Sequence, residues 1–111
     1  MTADRWGNTG VMVLATPHLV GLLEATSVRA ITEALEPGQS SVGTHVDVRH
    51  LKATPVGDTV TLTAEVTAVD GRRVRFHVRA DDSTGVAAEG THERVLIDLA
   101  RFLQRVGATS A

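Results

Sequence analysis

Between Thr59 and Ala80 the chain has little choice of fold. Val60, Leu62, Ala64, Val66 and Ala68 alternate with Thr61, Thr63, Glu65 and Thr67; then Val74, Phe76 and Val78 alternate with Arg73, Arg75, His77 and Arg79. An apolar/polar period of two is that of a strand buried on one face. Asp70-Gly71 between the two runs reads as a two-residue type I′ hairpin turn, with the first-named residue of each strand set inward. Such a hairpin must cover its apolar face with something.

Further strands flank it. In Gly43 to His50, Thr44, Val46, Val48 and His50 alternate with His45, Asp47 and Arg49. Lys52 to Asp58, with Pro55 and Gly57, is a turn-rich link, and Val86 to about Leu99 is a last strand in which Gly90 suggests a bulge. The chain's 16 Val and 14 Thr suit a pleated surface. Four strands in this order predict an antiparallel meander.

The cover is a helix. Thr16-Pro17 is an N-cap followed by a proline that loses no intrahelical bond, and Glu36-Pro37-Gly38 ends the segment. Between Pro17 and Leu35, Val20, Leu23, Ser27, Ile31 and Leu35 fall near one stripe, flanked by Leu19, Leu22 and Val28. Arg29 and Glu33 stand at i, i+4 on the solvent side. The expectation is an α+β layer with the antiparallel sheet curled around one long helix. Residues 1–12 read as a loose arm, 13–104 as the domain and 105–111 as a tail.

Whole classes of function drop out. A chain of 111 residues holds one domain. Thirteen acids against eleven Lys and Arg provide no basic field for nucleic acid or anionic lipid, and Trp6, Phe76 and Phe102 are too few for base stacking. Without cysteine there is no thiolate chemistry, zinc–sulfur site or disulfide framework. No apolar run approaches the roughly 18 residues of a membrane span, and no signal pattern opens the chain. A cytoplasmic protein that binds neither nucleic acid nor membrane is expected.

Three residues break the local pattern. Glu24 falls on the core-facing stripe with Val20 and Val28, not a base, one turn to either side. A sheltered acid without a local cation suits proton transfer or nucleophilic work, although an acid at the stripe's edge reaching water or a strand partner fits as well. His50 ends a strand on the face committed to the helix, where a hydrogen-bonded core histidine is the plain alternative. Thr16 caps the helix, whose N-terminus also offers N–H groups to a carbonyl or oxyanion. A hydroxyl, a carboxylate and an imidazole are the ingredients of acyl transfer. His45 and Asp47, outward at i, i+2, read as a solvated strand before a metal site, so no metal is expected. His77 stands in the basic stripe of Arg73, Arg75 and Arg79, a solvated face or a seat for a phosphorylated ligand such as coenzyme A. His92, Glu93 and Arg94 lie in the last strand, where Glu and Arg most often form structural pairs. No phosphate-binding Gly loop, zinc motif or Gly-x-Ser-x-Gly elbow occurs.

The wording of the chain then becomes familiar. Leu14-Ala15-Thr16, Val20-Gly21-Leu22-Leu23-Glu24, Val28-Arg29-Ala30, Leu35-Glu36-Pro37-Gly38 and Val42-Gly43-Thr44 resemble the hotdog-fold thioesterases, in particular their fluoroacetyl-CoA thioesterase branch. So do His50, Ala53-Thr54-Pro55, Gly57, Val69 to Arg73 and Gly90 to Arg94, and the resemblance covers roughly residues 13–103. It implies an antiparallel sheet wrapped around a central helix, with the family's first strand shortened or missing. It implies a homodimer or higher homo-oligomer with sheets joined edge to edge and the acyl-CoA site near the interface. It implies hydrolysis of a short-chain acyl-CoA or related thioester with Thr16, Glu24 and His50 as catalytic residues. Coenzyme A enters as part of the substrate, and no separate cofactor is implied. Gly43 would help bind the thioester oxygen; His18 and Arg94 would line the substrate, and Arg73 and Arg75 could contact CoA phosphates. Two positions depart from the family: Gly10 stands at the spacing of its lid phenylalanine, and Pro17-His18 replaces the Gly-Phe after its threonine. Both open the pocket mouth. The other reading is a hotdog protein that binds or sequesters a CoA-linked or small hydrophobic ligand without turnover.

Overall fold

A computed structural model describes residues 15–107. The loose arm, Trp6, Gly10 and the question of a first strand lie outside these residues.

Helix α1 (Thr16–Thr32) is followed by strands β1 (Gln39–His50), β2 (Thr61–Asp70), β3 (Arg73–Asp82) and β4 (Gly85–Asp98), then by helix α2 (Leu99–Arg105). The buried stripe of α1 is Leu19, Leu23, Ser27 and Ile31, a run at i, i+4 led by Leu19 and not by Val20. Val20, Glu24 and Val28 therefore form a half-buried row at the stripe's margin. The helix ends three residues before the expected Leu35, in a turn closed by Ala34 N–H to Ile31 O at 3.0 Å and Leu35 N–H to Thr32 O at 3.3 Å. Arg29 donates to Thr26 Oγ1 at 3.3 Å rather than pairing with Glu33.

All four strands join one antiparallel sheet in the order β1-β4-β3-β2. The expected meander holds for β2-β3-β4 only, because β1 lies beside β4 at the far edge. The link between β1 and β2 crosses below the β3–β4 turn and is tied to it. Lys52 Nζ donates to Asp82 at 2.6 Å, Thr54 Oγ1 donates to the other oxygen of Asp82 at 3.0 Å, and Ser83 Oγ donates to Asp58 at 2.9 Å. Alternation carries local burial but is silent on which strands are neighbours.

β3 follows its pattern throughout: Val74, Phe76, Val78 and Ala80 are buried beneath α1, with Leu19, Leu23, Ile31 and Ala88 completing the core. Val60, Leu62, Ala64, Val48 and Leu96 pack at its edge. The hairpin loop is Gly71-Arg72, closed by the pair Asp70–Arg73. Only Gly71 has a positive φ (59°), the signature of a II′ rather than a I′ turn.

Three irregularities re-aim side chains. A register shift at Thr67 pairs Ala68 with the outward Arg75, so Ala68 is turned away from the helix and Val69 takes the inner side opposite Val74. A shift at Thr44 pairs Gly43 with Arg94 and His45 with Glu93, which brings Gly43 to the helix-facing side together with Val46, Val48 and His50. The bulge expected at Gly90 lies instead near Ala87, where pairing slips between Ala80–Ala88 and Asp81–Val86. Gly90 serves close approach: a Cβ there would stand 1.9 Å from the Asp47 carbonyl oxygen. Beyond β4, Asp98 caps α2 by accepting from Arg101 N–H at 3.0 Å, a helix that the strand-and-tail reading did not contain.

Candidate active site

The helix start and the end of β1 meet first. Ala15, not Thr16, is the N-cap residue, and no side chain caps the helix. The Thr16 hydroxyl is thereby free for another partner and lies 2.7 Å from His50 Nδ1. His50 reaches it because its register pairs it with Ala88 on the helix-facing side of the sheet. The other ring nitrogen, Nε2, is buried and has no hydrogen-bond partner among the described residues. An imidazole gripped through one nitrogen, with the other buried and unpaired among the described residues, can pass a proton to a group that reaches that nitrogen.

A second cluster forms farther along the helix. Glu24 Oε2 lies 3.8 Å from Arg94 Nη1, so the acid read as lacking a local cation receives one from β4. Both charged residues of this stretch of β4 have partners, but on different faces: Arg94 has Glu24, and Glu93 binds Arg73 at 3.3 Å on the outer face. Alternation explains this, since Glu93 and Arg94 face opposite sides of the sheet. The Arg94 side chain is 9% exposed and that of Glu24 39%. Burial pushes the Arg94 guanidinium below its ordinary value, while the Glu24 carboxylate works in the opposite direction. Gly43 stands at the centre. A Cβ on it would sit 3.2 Å from His92 Cε1 and 3.3 Å from both Arg94 Nη1 and Glu24 Oε2. The backbone irregularity at Thr44 and the missing side chain together let three functional groups converge on one stretch of main chain.

Within one chain, the structure thus joins Thr16 to His50 and Glu24 to Gly43 and Arg94. It shows no contact between the two groups, because Glu24 lies eight residues from Thr16, about 12 Å along a helix axis. His18 is half-buried one turn into α1 and makes no hydrogen bond among the described residues. Arg73 and Arg75 are exposed on the outer face, with Arg73 engaged by Glu93. Neither is brought to Glu24. His77 on the same face pairs with Glu89 at 3.1 Å. No group of three metal-binding side chains occurs among the described residues. Sequence reasoning passed over His92 and Ser41, which flank Arg94; only the inward parity of His92 opposite Phe76 could have marked it.

A sheet cradling one long helix, with hydroxyl, imidazole and carboxylate along their junction, defines the class of hotdog-fold thioesterases. A profile described as fluoroacetyl-CoA-specific thioesterase matches residues 1–100, and the chain belongs to that family. The fluoroacetyl-CoA thioesterase of Streptantibioticus cattleyicolor is 48% identical over 94 residues, 85% of this chain and 68% of that protein. A mutant of the fluoroacetyl-CoA-specific thioesterase FlK, solved with fluoroacetate and CoA, is similar with a TM-score of 0.85 at 45% identity, over 90% of this chain and 78% of that one. A hot-dog-like protein from Thermanaerovibrio acidaminovorans has a TM-score of 0.88 at 29% identity, over 96% of this chain and 82% of its own.

Proposed function

We propose that this chain hydrolyses short-chain acyl-CoA thioesters, with Thr16, Glu24 and His50 as the reacting residues. The observation that carries the reading is the Thr16–His50 hydrogen bond, with Nε2 of the ring unpartnered among the described residues. Glu24 takes a proton from the water that adds to the thioester carbonyl, or attacks that carbonyl to form an acyl anhydride that a water then hydrolyses; in either course the C–S bond breaks and the free acid is released. Thr16 holds the imidazole, and His50 gives a proton to the departing CoA thiolate through Nε2 and recovers one from the attacking water by way of Glu24. The Gly43 N–H and the Arg94 guanidinium offer positive partners to the carbonyl oxygen as it gains charge, where one donor is typically worth about 3–4 kcal/mol. The chain needs no separate cofactor for this, since the CoA belongs to the substrate.

The working unit is a homodimer. Among the described residues β1 is an edge strand, with Val46 at its middle 38% exposed. Unpaired strand edges are templates for pairing with another chain. A two-fold antiparallel pairing of β1 with itself, centred on Asp47 and with Thr44 left out of register as it is against β4, sets Gly43 of one copy opposite His50 of the other and Val46 opposite Val48, all on the helix-facing side. The groups that one chain keeps apart then meet across the interface. The position of Gly10 and of Pro17-His18 supports a site open to more than fluoroacetyl groups.

The test is release of free thiol from acetyl-, propionyl- and fluoroacetyl-CoA by the purified protein and by His50→Asn, which removes Nε2. Turnover by the parent protein and its loss in the variant are expected. Saturable CoA binding with no thiol released from any of the three would overturn the reading in favour of a binding protein.

A further inference from the structure

We infer that His92 is a positioning residue: by accepting from Arg94 Nη1 it holds the guanidinium short of Glu24, and so keeps that carboxylate free to act. The inference rests on Glu24 being the reacting acid. His92 is 2% exposed, and the hydrolytic scheme above does not use it. Its Nδ1 lies 2.8 Å from the His45 carbonyl oxygen, which can only accept, so Nδ1 carries the hydrogen. Its Nε2 lies 3.2 Å from Arg94 Nη1, which can only donate, so Nε2 is bare. The two neighbours thus select one tautomer of the ring. Phe76 holds its plane, stacked at 6.0 Å between centroids and 25° between planes.

The guanidinium is bracketed in turn. Arg94 Nε donates to Ser41 Oγ at 2.8 Å, Nη2 to the Ser41 carbonyl at 3.0 Å, and Nη1 to His92. What remains for Glu24 is an approach of 3.8 Å, near enough for attraction and too long for a hydrogen bond. Glu24 makes no hydrogen bond to any other described residue. An unrestrained arginine beside a half-buried carboxylate closes on it, since charge-assisted pairs are among the strongest hydrogen bonds in proteins. Here Nη1 gives one of its two N–H groups to a neutral acceptor that, with Ser41, fixes the guanidinium 3.8 Å from Glu24, and the carboxylate lone pairs stay available.

Two substitutions separate this role from simple packing. In His92→Asn the amide nitrogen still reaches the His45 carbonyl, but nothing accepts from Arg94. The expected result is near-parental thermal stability with kcat lowered about tenfold to a hundredfold and KM little changed, as a misplaced reacting group produces. In His92→Gln the amide oxygen reaches toward Arg94 while the bond to His45 is lost, so stability falls and kcat is largely kept. A purely structural histidine would give the reverse order or equal losses, and either outcome overturns the inference. So does protonated Nε2 in the ¹⁵N spectrum of the His92 ring, where a protonated Nδ1 and a bare Nε2 are expected. The spectrum needs no substrate. Absence of thiol release by the parent protein would therefore overturn the hydrolase reading alone, leaving the ring nitrogens to decide the role of His92.

Discussion

Two glycines on the inner face of the sheet separate catalysis from stability. At Gly43 the atoms nearest an added methyl are the ends of Glu24, His92 and Arg94; at Gly90 they are the backbone of β1, with Asp47 O at 1.9 Å. Side-chain ends shift, but a paired strand does not. Gly43→Ala is therefore expected to lower kcat for acyl-CoA well beyond any change in melting temperature. Gly90→Ala is expected to destabilise by about 1–3 kcal/mol, the usual range for overpacking, with the residual folded protein still active. Parallel thiol-release and thermal-melt measurements on both variants check the contrast. At this scale the sequence marked Thr16, Glu24 and His50 as candidates more readily than it told what each touches. Thr16 looked like a cap because Thr-Pro is a common helix start, yet its hydroxyl serves His50. The cation beside Glu24 comes from Arg94, seventy positions away, and no spacing rule connects them.

The elements themselves were largely legible. β3 alternates from Arg73 to Asp82 as its sequence does, and α1 begins and buries its stripe within a residue of expectation. Bulges and strand order were not, because a period of two is unchanged by which strand lies alongside, and an extra residue leaves no compositional mark. The slip at Thr44 decides on which face Gly43 stands, and with it whether the second cluster can form. The other hidden feature is the tie between the β1–β2 link and the β3–β4 turn. Lys52, Thr54 and Thr84 all donate to Asp82 and hold its carboxyl well below the usual carboxylate range, the Lys52 bond contributing most. The folded protein thus binds this proton less tightly than the unfolded chain does. Its contribution is fully present above the unfolded carboxylate value of about 4 and is lost as acidification proceeds below it. Urea midpoints at neutral pH should fall in Asp82→Asn, and the gap from the parent protein should narrow toward pH 3. A gap that persists unchanged in acid would show that the carboxylate's charge is not what ties the link.

For the whole molecule, the separation of Thr16–His50 from Glu24–Gly43 is the feature on which the proposed dimer bears most. An edge strand carrying both His50 and Gly43 can supply one group to each of two sites. Mixing inactive Glu24→Gln and His50→Asn chains, unfolded and refolded together, is then expected to restore activity. One site of each mixed dimer would hold both native groups. Activity no greater than that of the separate variants would place all the reacting groups within one chain. The most direct measurement remains the turnover of acetyl-CoA by Glu24→Gln, an exchange that preserves shape and removes the charge. The account predicts loss of about a hundredfold or more in kcat, the scale of general acid–base and nucleophilic contributions, with the fold intact by circular dichroism. Turnover equal to that of the parent protein would contradict it.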